Sequence, residues 1–501
     1  MLAGGSITLT ANRGAVAIAP GAVLNVSGTS APLDIPNASS SQPNVREQVA
    51  SNAGTIALTA SESISADGTL LAHAGTGTSG QAAGGTLLVQ LTRDAADIQN
   101  SPLLADTFST APRTVELVDV PGVIPGNGLV PVDVRQVVAD GFDDLRVRAD
   151  SLAIVDAGVQ LSLGRRIVID APAIAIGGSG AAQLSAPYVS LGYSKPLASS
   201  AVASGGAGQL RVNAGAIDLV GSTALQNMDT AELNSSGDIQ LRGTVRSDAI
   251  VGKVSAAGDL TLDAARVYAS SASQFSIDDP GHSVTIAQTA PSQGTPLSAA
   301  SAITISAANI RQGGTLFAPF GHIDLEATDS LTLLDGSLTS VSGAGALIPY
   351  GKTINGTSWV YDGGTAVATE VTEAPGRKVG LSGKSVTIAK DATVDITGGG
   401  DLHAFEWVKG AGGSVDVLAG DSGGTLFAII PANGAHVPAF DAQDYRGTSL
   451  QPGDSVYLSG GGGVPAGYYA LLPARYALLP GAWLVSPVSG TTDLSPDTPS
   501  S

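Results

Sequence analysis

The sequence predicts an all-β chain wound as a parallel β-helix. Three observations carry this: a short alternating motif recurring along most of the chain, a strand-to-strand step of six to eight residues, and a composition rich in glycine but poor in aromatics. The motif is a Gly or small residue followed by alternating apolar and polar residues. It reads GGSITLTA, AGTIALTA, GGTLLVQL, AGQLRVNA, SGDIQLRG, AGDLTLDA, GHSVTIAQ, SAITISAA and GHIDLEAT. Period-two alternation marks strands with one buried face. In AGDLTLDA it directs Leu260 and Leu262 inward, and Thr261 and Asp263 outward.

The step separates a β-helix from a hairpin protein. Ile154, Leu161, Val168 and Ile174 mark successive strands, Leu331 and Leu338 are seven apart, and Val386 and Val394 are eight apart. Hairpin proteins space strands by roughly 8–12 residues with strong turn signals. Here most joints lack Asn-Gly or Asp-Gly. Three steps make a coil of roughly 20–25 residues, the scale of a solenoid repeat. Gly237 to Gly258 is 21 residues, and Ala302 to His322 is 20. In such a body Val, Ile and Leu stack in the lumen and small residues turn the corners.

Composition agrees and excludes several classes. Of 501 residues 43% are hydrophobic and 13% charged, too apolar for an acidic disordered chain. Aromatics are 4% and Gly is 65, against a usual glycine share of roughly 7%. The formal net charge of −19 argues against nucleic acid and favours a soluble, self-repelling surface. No cysteine exists, so disulfides, thiolate metal sites and cysteine nucleophiles are ruled out. No apolar run approaches the roughly 18 residues of a membrane helix. MLAGGSITLT lacks a basic region and an apolar signal core, so Met1 reads as the start of a fragment.

The repeat is interrupted over 92–144, 193–205, 345–376 and 427–463. The expected organisation is therefore β-helix coils over 1–92, a loop-rich excursion over 93–144, and coils over 145–400 with insertions near 193–205 and 345–376. A Gly-, aromatic- and Pro-rich segment over 401–487 and a polar tail over 488–501 follow. NVREQVAS (44–51) is expected to form a short helical turn.

The segment AGYYALLPARYALLPGAW holds YALLP twice, seven residues apart. A helix is disfavoured there because Pro473 would remove a backbone donor. Each YALLP is expected to be one extended piece ending at a Pro corner. Trp483 and the tyrosines are expected to cap the rod, since an open solenoid end is an exposed edge. The functional alternative is a platform on which glycans stack.

GAVLNVSGTS (21–30) and DATVDITGGG (391–400), beside the GGSITL-type strands, resemble filamentous haemagglutinin-family exoproteins of Gram-negative bacteria. GGDLHAFEWVKGAGGSVDVL followed by PAGYYALLPARYALLPGAW is similar to a segment recurring in very large members. The resemblance implies a right-handed β-helix shaft with an adhesive role, attaching to cells, surfaces or biofilm matrix. It also implies export by an outer-membrane partner transporter in two-partner secretion, a place at the bacterial cell surface, and host or matrix glycans or proteins as ligands. The family's secretion domain carries Asn-Pro-Asn-type motifs, and QPNV (42–45) is not one. The chain thus reads as an internal or C-terminal piece of a longer shaft.

Several motifs invite chemistry. GDSGG (420–424) matches the nucleophile motif of chymotrypsin-like proteases, with Ser422 in the key position and His282 and His403 upstream. The expected reading is a glycine-rich turn, because a triad needs geometry and not five letters. TGGGDLH (397–403) is similar to a single calcium-binding glycine-rich repeat, which needs tandem copies. His73, His282, His322, His403 and His436 have no metal-ligand spacing. Asp140, Asp143, Asp144 and Asp150 group in ADGFDDLRVRAD, where paired carboxylates suit sugar chemistry but solvated charges are commoner. The expectation is a non-enzyme without catalytic, cofactor-binding or metal residues. The alternative is a carbohydrate-active β-helix enzyme, a polysaccharide lyase or hydrolase. Such enzymes cluster Asp, Arg or Lys at matching positions of adjacent coils. With 24 Lys and Arg spread thinly, and LGRRIVI (Leu163–Ile169) the sole Arg pair, no cluster assembles from the sequence.

Overall fold

In the computed structural model the described residues are 3–35, 45–77, 82–93, 111–120, 127–196, 201–288, 290–292, 294–361, 369–410, 416, 418, 426–433, 454–458 and 461–486. The chain is almost all β, with 61% strand and 3% helix. The alternating motifs form strands that pair in parallel with the next motif along the chain. Ile303 lies opposite Ile323, Arg166 opposite Tyr188, and Leu260 opposite Val284, so the step per turn of chain is 20 to 24 residues at these places. The four marker residues Ile154, Leu161, Val168 and Ile174 each fall in a separate strand: Leu152–Asp156, Gln160–Ser162, Arg166–Asp170 and Ala173–Gly177.

Three parallel ladders result. One runs through Ser6–Ala11, Thr55–Ala60, Gly85–Leu91, Phe142–Ala149 and Arg166–Asp170, and continues to Leu338–Ser340 and Thr393–Asp395. Along it the inward residues stack like on like: Ile56 on Leu87, Leu145 on Ile167, Ile217 on Ile239. Leu260 and Leu262 are 1% and 0% exposed, while Thr261 and Asp263 are half-buried, as the alternation requires. Each buried aliphatic side chain contributes about 1.5–3 kcal/mol, so repetition replaces the large aromatics of a globular core. Close stacking also dictates corners. At Gly192 φ is +142°, and an added Cβ would collide with the Val220 carbonyl oxygen; only glycine fits.

Three expectations change. Val45–Ala50 is a strand, not a helical turn, and pairs antiparallel with Ser30–Ile35. Six residues are too few to hold a helix unaided, and β-branched valines suit the hairpin. Within 93–144 the described residues carry two strands that join a parallel ladder. Thr114–Val118 lies between Leu129–Asp133 and Leu152–Asp156. The helix Val134–Ala139 follows, capped by the Asp133 carboxylate, which accepts from the Arg135 and Gln136 amides.

The third change concerns the two YALLP copies. The first is extended, in Gly467–Ala470 and Leu472–Pro473. The second turns into a 3₁₀ helix, Ala474–Leu478, whose Tyr476 is buried. Tyr476 packs with Ala428, Leu472 and Leu297, and Leu297 precedes the strand Ala302–Gln312. The aromatic segment therefore lies along the flank. It leaves the last described coil open, with Val386 43% and Ile388 53% exposed. Burial with Ala428, Leu472 and Leu297 holds Tyr476 on this flank, so among the described residues the YALLP segment does not sit over the last coil as expected. The excursion near 345–376 packs on a flank too: Ile348, Tyr350 and Tyr361 cluster with Ile250, Ala299 and Phe320.

Candidate functional site

The outward face of the first ladder gathers charge that the sequence scatters. Asp144 lies opposite Arg166, which lies opposite Tyr188. One pleat along, Ser190 lies opposite Asp218, and Asp218 opposite Gln240. Further on, Asp238 lies opposite Arg266 and Gln240 opposite Tyr268. Outward positions on neighbouring coils are about 4.8 Å apart, so residues 20 or more apart in sequence touch. The cluster of Asp, Arg and Tyr at matching positions, which the sequence does not reveal, is present.

Asp144 is the hub and is fully buried. Its Oδ2 accepts from Arg146 Nη2 at 2.8 Å, Arg165 Nη2 at 3.0 Å and Arg166 Nε at 3.1 Å. Burial opposes its ionisation, but the Arg146 hydrogen bond and the charges of Arg166, Arg146 and Arg165 outweigh it and hold the carboxyl below its ordinary range. Arg166, also buried, donates from Nη2 to Asp454 Oδ1 at 2.9 Å, a partner 288 residues away. A second hub is Asp218, whose Oδ2 accepts from Tyr188 OH at 2.7 Å and Arg242 Nη1 at 2.6 Å. Burial, then the Asp218 charge, pushes the Tyr188 hydroxyl far up, so it stays a neutral donor. Arg266 binds Asp238 with two nitrogens, at 2.8 and 2.6 Å, and lies over the Tyr268 ring. It also donates to the Gly294 carbonyl at 2.8 Å. The distant residue Asp454 thus contacts this face at Arg166, and the nearby Gly294 contacts it at Arg266.

A cavity of about 220 Å3 opens beside the hubs, lined by Arg146, Arg166, Asp170, Tyr188, Ser190 and Arg242. A larger one, about 360 Å3, lies beside the helix Val134–Ala139, among Leu58, Leu70, Leu87, Val130, Val137 and Phe142. The first is ringed by paired charges above aliphatic residues such as Val168, Ile169 and Val220. The second mixes aliphatic walls with Asp67, Asp133, Gln136 and Asp140, and burial raises the Asp140 carboxyl.

The other singled-out residues scatter. Asp140 accepts from Gln136, Asp143 from the Gly84 amide, and Asp150 from the Arg93 amide and Tyr193 hydroxyl. The four carboxylates of ADGFDDLRVRAD therefore serve different partners. Gly399 and Gly400 take positive φ and lead straight into the strand Asp401–Phe405, so in TGGGDLH the glycines turn the chain and Asp401–His403 begin a strand. GDSGG with Ser422, and His436, lie outside the described residues. Among the described residues no three metal-ligand side chains gather, and no helix is long and apolar enough to cross a membrane. Tyr468 and Trp483 are exposed, while Tyr469 and Tyr476 are buried.

His282 has one notable partner. Its Nδ1 lies 3.1 Å from Asp279 Oδ1, and Asp279 is fully buried. Burial raises the Asp279 carboxyl to about 6, with His282 pulling the other way. The unfolded chain holds this carboxyl near 3.8. The folded state therefore binds the proton more tightly, and stability from this group falls as pH rises from about 4 through about 6. Asp279→Ala, matching Ala307 on the next coil, is expected to flatten that part of the stability-versus-pH curve and stabilise the chain above it. Urea midpoints across this pH window check it; an unchanged slope would refute the assignment.

No protein-family model, no curated protein and no solved structure matches this chain.

Proposed function

We propose that this chain is a right-handed parallel β-helix shaft segment of a large secreted bacterial surface protein of filamentous haemagglutinin type. It serves attachment to cells, surfaces or matrix, and a partner transporter in the outer membrane exports the parent protein. One observation carries the reading: arginines gathered on the outer face are tied to the chain's own carboxylates. Asp144 with Arg165 and Arg166, Asp218 with Arg242, and Asp238 with Arg266 clamp successive coils to one another, and Arg146 joins Asp144 from its own strand. A face that neutralises itself braces a rod. The apolar side chains open at the last described coil, Val386 and Ile388, are the surface on which further coils stack. Beads coated with the purified chain are expected to adhere to epithelial monolayers or abiotic surfaces above beads coated with an unrelated acidic protein. Equal retention would overturn the adhesive reading.

The second reading, a carbohydrate-active enzyme, gains from the same face, because Arg, Asp and Tyr line a cavity on adjacent coils. Acidic and neutral polysaccharides incubated with the chain would then release unsaturated or reducing ends. Turnover lost in Tyr188→Phe would replace the shaft reading with this one.

A further inference from the structure

Asp279–Pro280 is the only Asp-Pro peptide in the chain. It sits at a corner where the ladder is irregular: Asp279 lies opposite Ala307 and Ser283 opposite Asn309, so Pro280, Gly281 and His282 together span one residue of the neighbouring strand. Those three are exposed, and open space surrounds Gly281. Asp279 differs from them. It points into an inward position that is alanine on the next two coils, Ala307 and Ala327. Its Oδ1 is held by His282, and its Oδ2, fully buried, has no hydrogen-bond partner. A buried carboxyl oxygen without a donor from the chain is costly. Its carboxyl is covalently placed next to its own main-chain carbonyl carbon, so attack is intramolecular and needs no further ordering.

We propose that this corner is a self-cleaving site, at which the Asp279 carboxylate breaks the peptide bond to Pro280. Oδ2 attacks the Asp279 carbonyl carbon and closes a five-membered cyclic anhydride. The carbon–nitrogen bond breaks, and its electron pair stays on the proline nitrogen. That nitrogen takes the proton held between the Asp279 carboxyl and His282. Water then opens the anhydride, leaving a C-terminal Asp279 and an N-terminal Pro280. One water is consumed, and no cofactor or oxidant takes part. A carboxylate is an established protein nucleophile.

The surroundings suit a proton shared at mildly acidic pH. Burial pushes the carboxyl up to about 6. The other charges nearby are Asp259, which accepts from the Ser283 amide, and Asp278, which is paired with Lys253. Two carboxylates near the site favour retaining the proton. The strand Ser273–Ala287 is also held in parallel by partners on both sides, Ala249–Ser255 and Asp259–Asp263 before it and Ala302–Gln312 after it. A cut chain is therefore expected to stay together until denatured.

The test incubates the full chain between about pH 5 and 8 and follows it by denaturing gels and intact mass. Two fragments, 1–279 and 280–501, are expected, forming faster toward the acidic end and co-eluting on native size exclusion. His282→Ala is expected to slow the cut by about tenfold or more, and Asp279→Ala to abolish it. Pro280→Ala changes an exposed position, leaves the acid and histidine in place, and is expected to slow it as well. The same chain unfolded in urea serves as the control for ordinary Asp-Pro lability. A folded chain that stays intact, or one that cuts no faster than the urea-unfolded chain, would overturn the proposal.

Discussion

Asp144→Ala is expected to loosen the body around residues 142–193 by about 3–5 kcal/mol, the cost of breaking a buried ion pair by removing one partner. Asp144 is the shared acceptor for Arg146, Arg165 and Arg166, and both it and Arg166 lie out of water. Without it three guanidinium groups lose their shared carboxylate, while Arg166 retains its contact with Asp454. Asp144→Asn retains the shape and an acceptor but not the charge, so its effect should be smaller. Asp454 is 29% exposed in its side chain, and Asp454→Ala should cost nearer about 1 kcal/mol, because water can replace part of the contact. The strands here pair with the strands one turn before and after, so the change is expected to be local, and hydrogen exchange resolved by segment is the suitable readout. Faster exchange confined to the Phe142–Ala149 and Arg166–Asp170 strands is the expected result. A loss below about 1 kcal/mol, or one spread evenly over the chain, would show that Asp144 is not the clamp.

Leu262→Asp and Thr261→Asp should differ sharply although the positions adjoin. Leu262 stacks between Leu233 and Ile286 on the buried side of the ladder. Truncating such a residue to alanine already costs about 2–5 kcal/mol, and a carboxylate there has no partner, so it would cost at least as much or take up a proton. Thr261 lies half-buried between Glu232 and Thr285 on the outer side, and a charge there should change stability within about 0.5 kcal/mol. Limited proteolysis of Leu262→Asp should open sites near residues 240–285 while the YALLP segment stays protected. Equal tolerance of both would refute the inward assignment, and collapse of the whole chain would mean one cooperative globule.

What the sequence by itself determined is where strands lie and which side of each is buried. Period two is a local property: Leu260, Thr261, Leu262 and Asp263 declare their faces within four letters, and every coil repeats the declaration. Parallel stacking follows because inward aliphatics such as Leu145 and Ile167 meet only at one register. Local signals failed where a short run served a distant partner. Val45–Ala50 could be read as a helical turn until its hairpin partner Ser30–Ile35 was seen. The two YALLP copies share five letters yet differ, because their tyrosines are buried in different clusters: Tyr469 with Ile429 and Val464, Tyr476 with Ala428, Leu472 and Leu297. The ionic face was the largest surprise. Asp144, Arg166, Tyr188, Asp218 and Arg242 occupy outward positions, which in a sequence look like ordinary solvated ones. The tertiary structure alone decided their burial: neighbouring strands bring the charges onto one another, and Asp454, 288 residues from Arg166, closes over that end of the row. Whether an outward charge meets water or another charge depends on what covers it, and alternation carries no information about the cover.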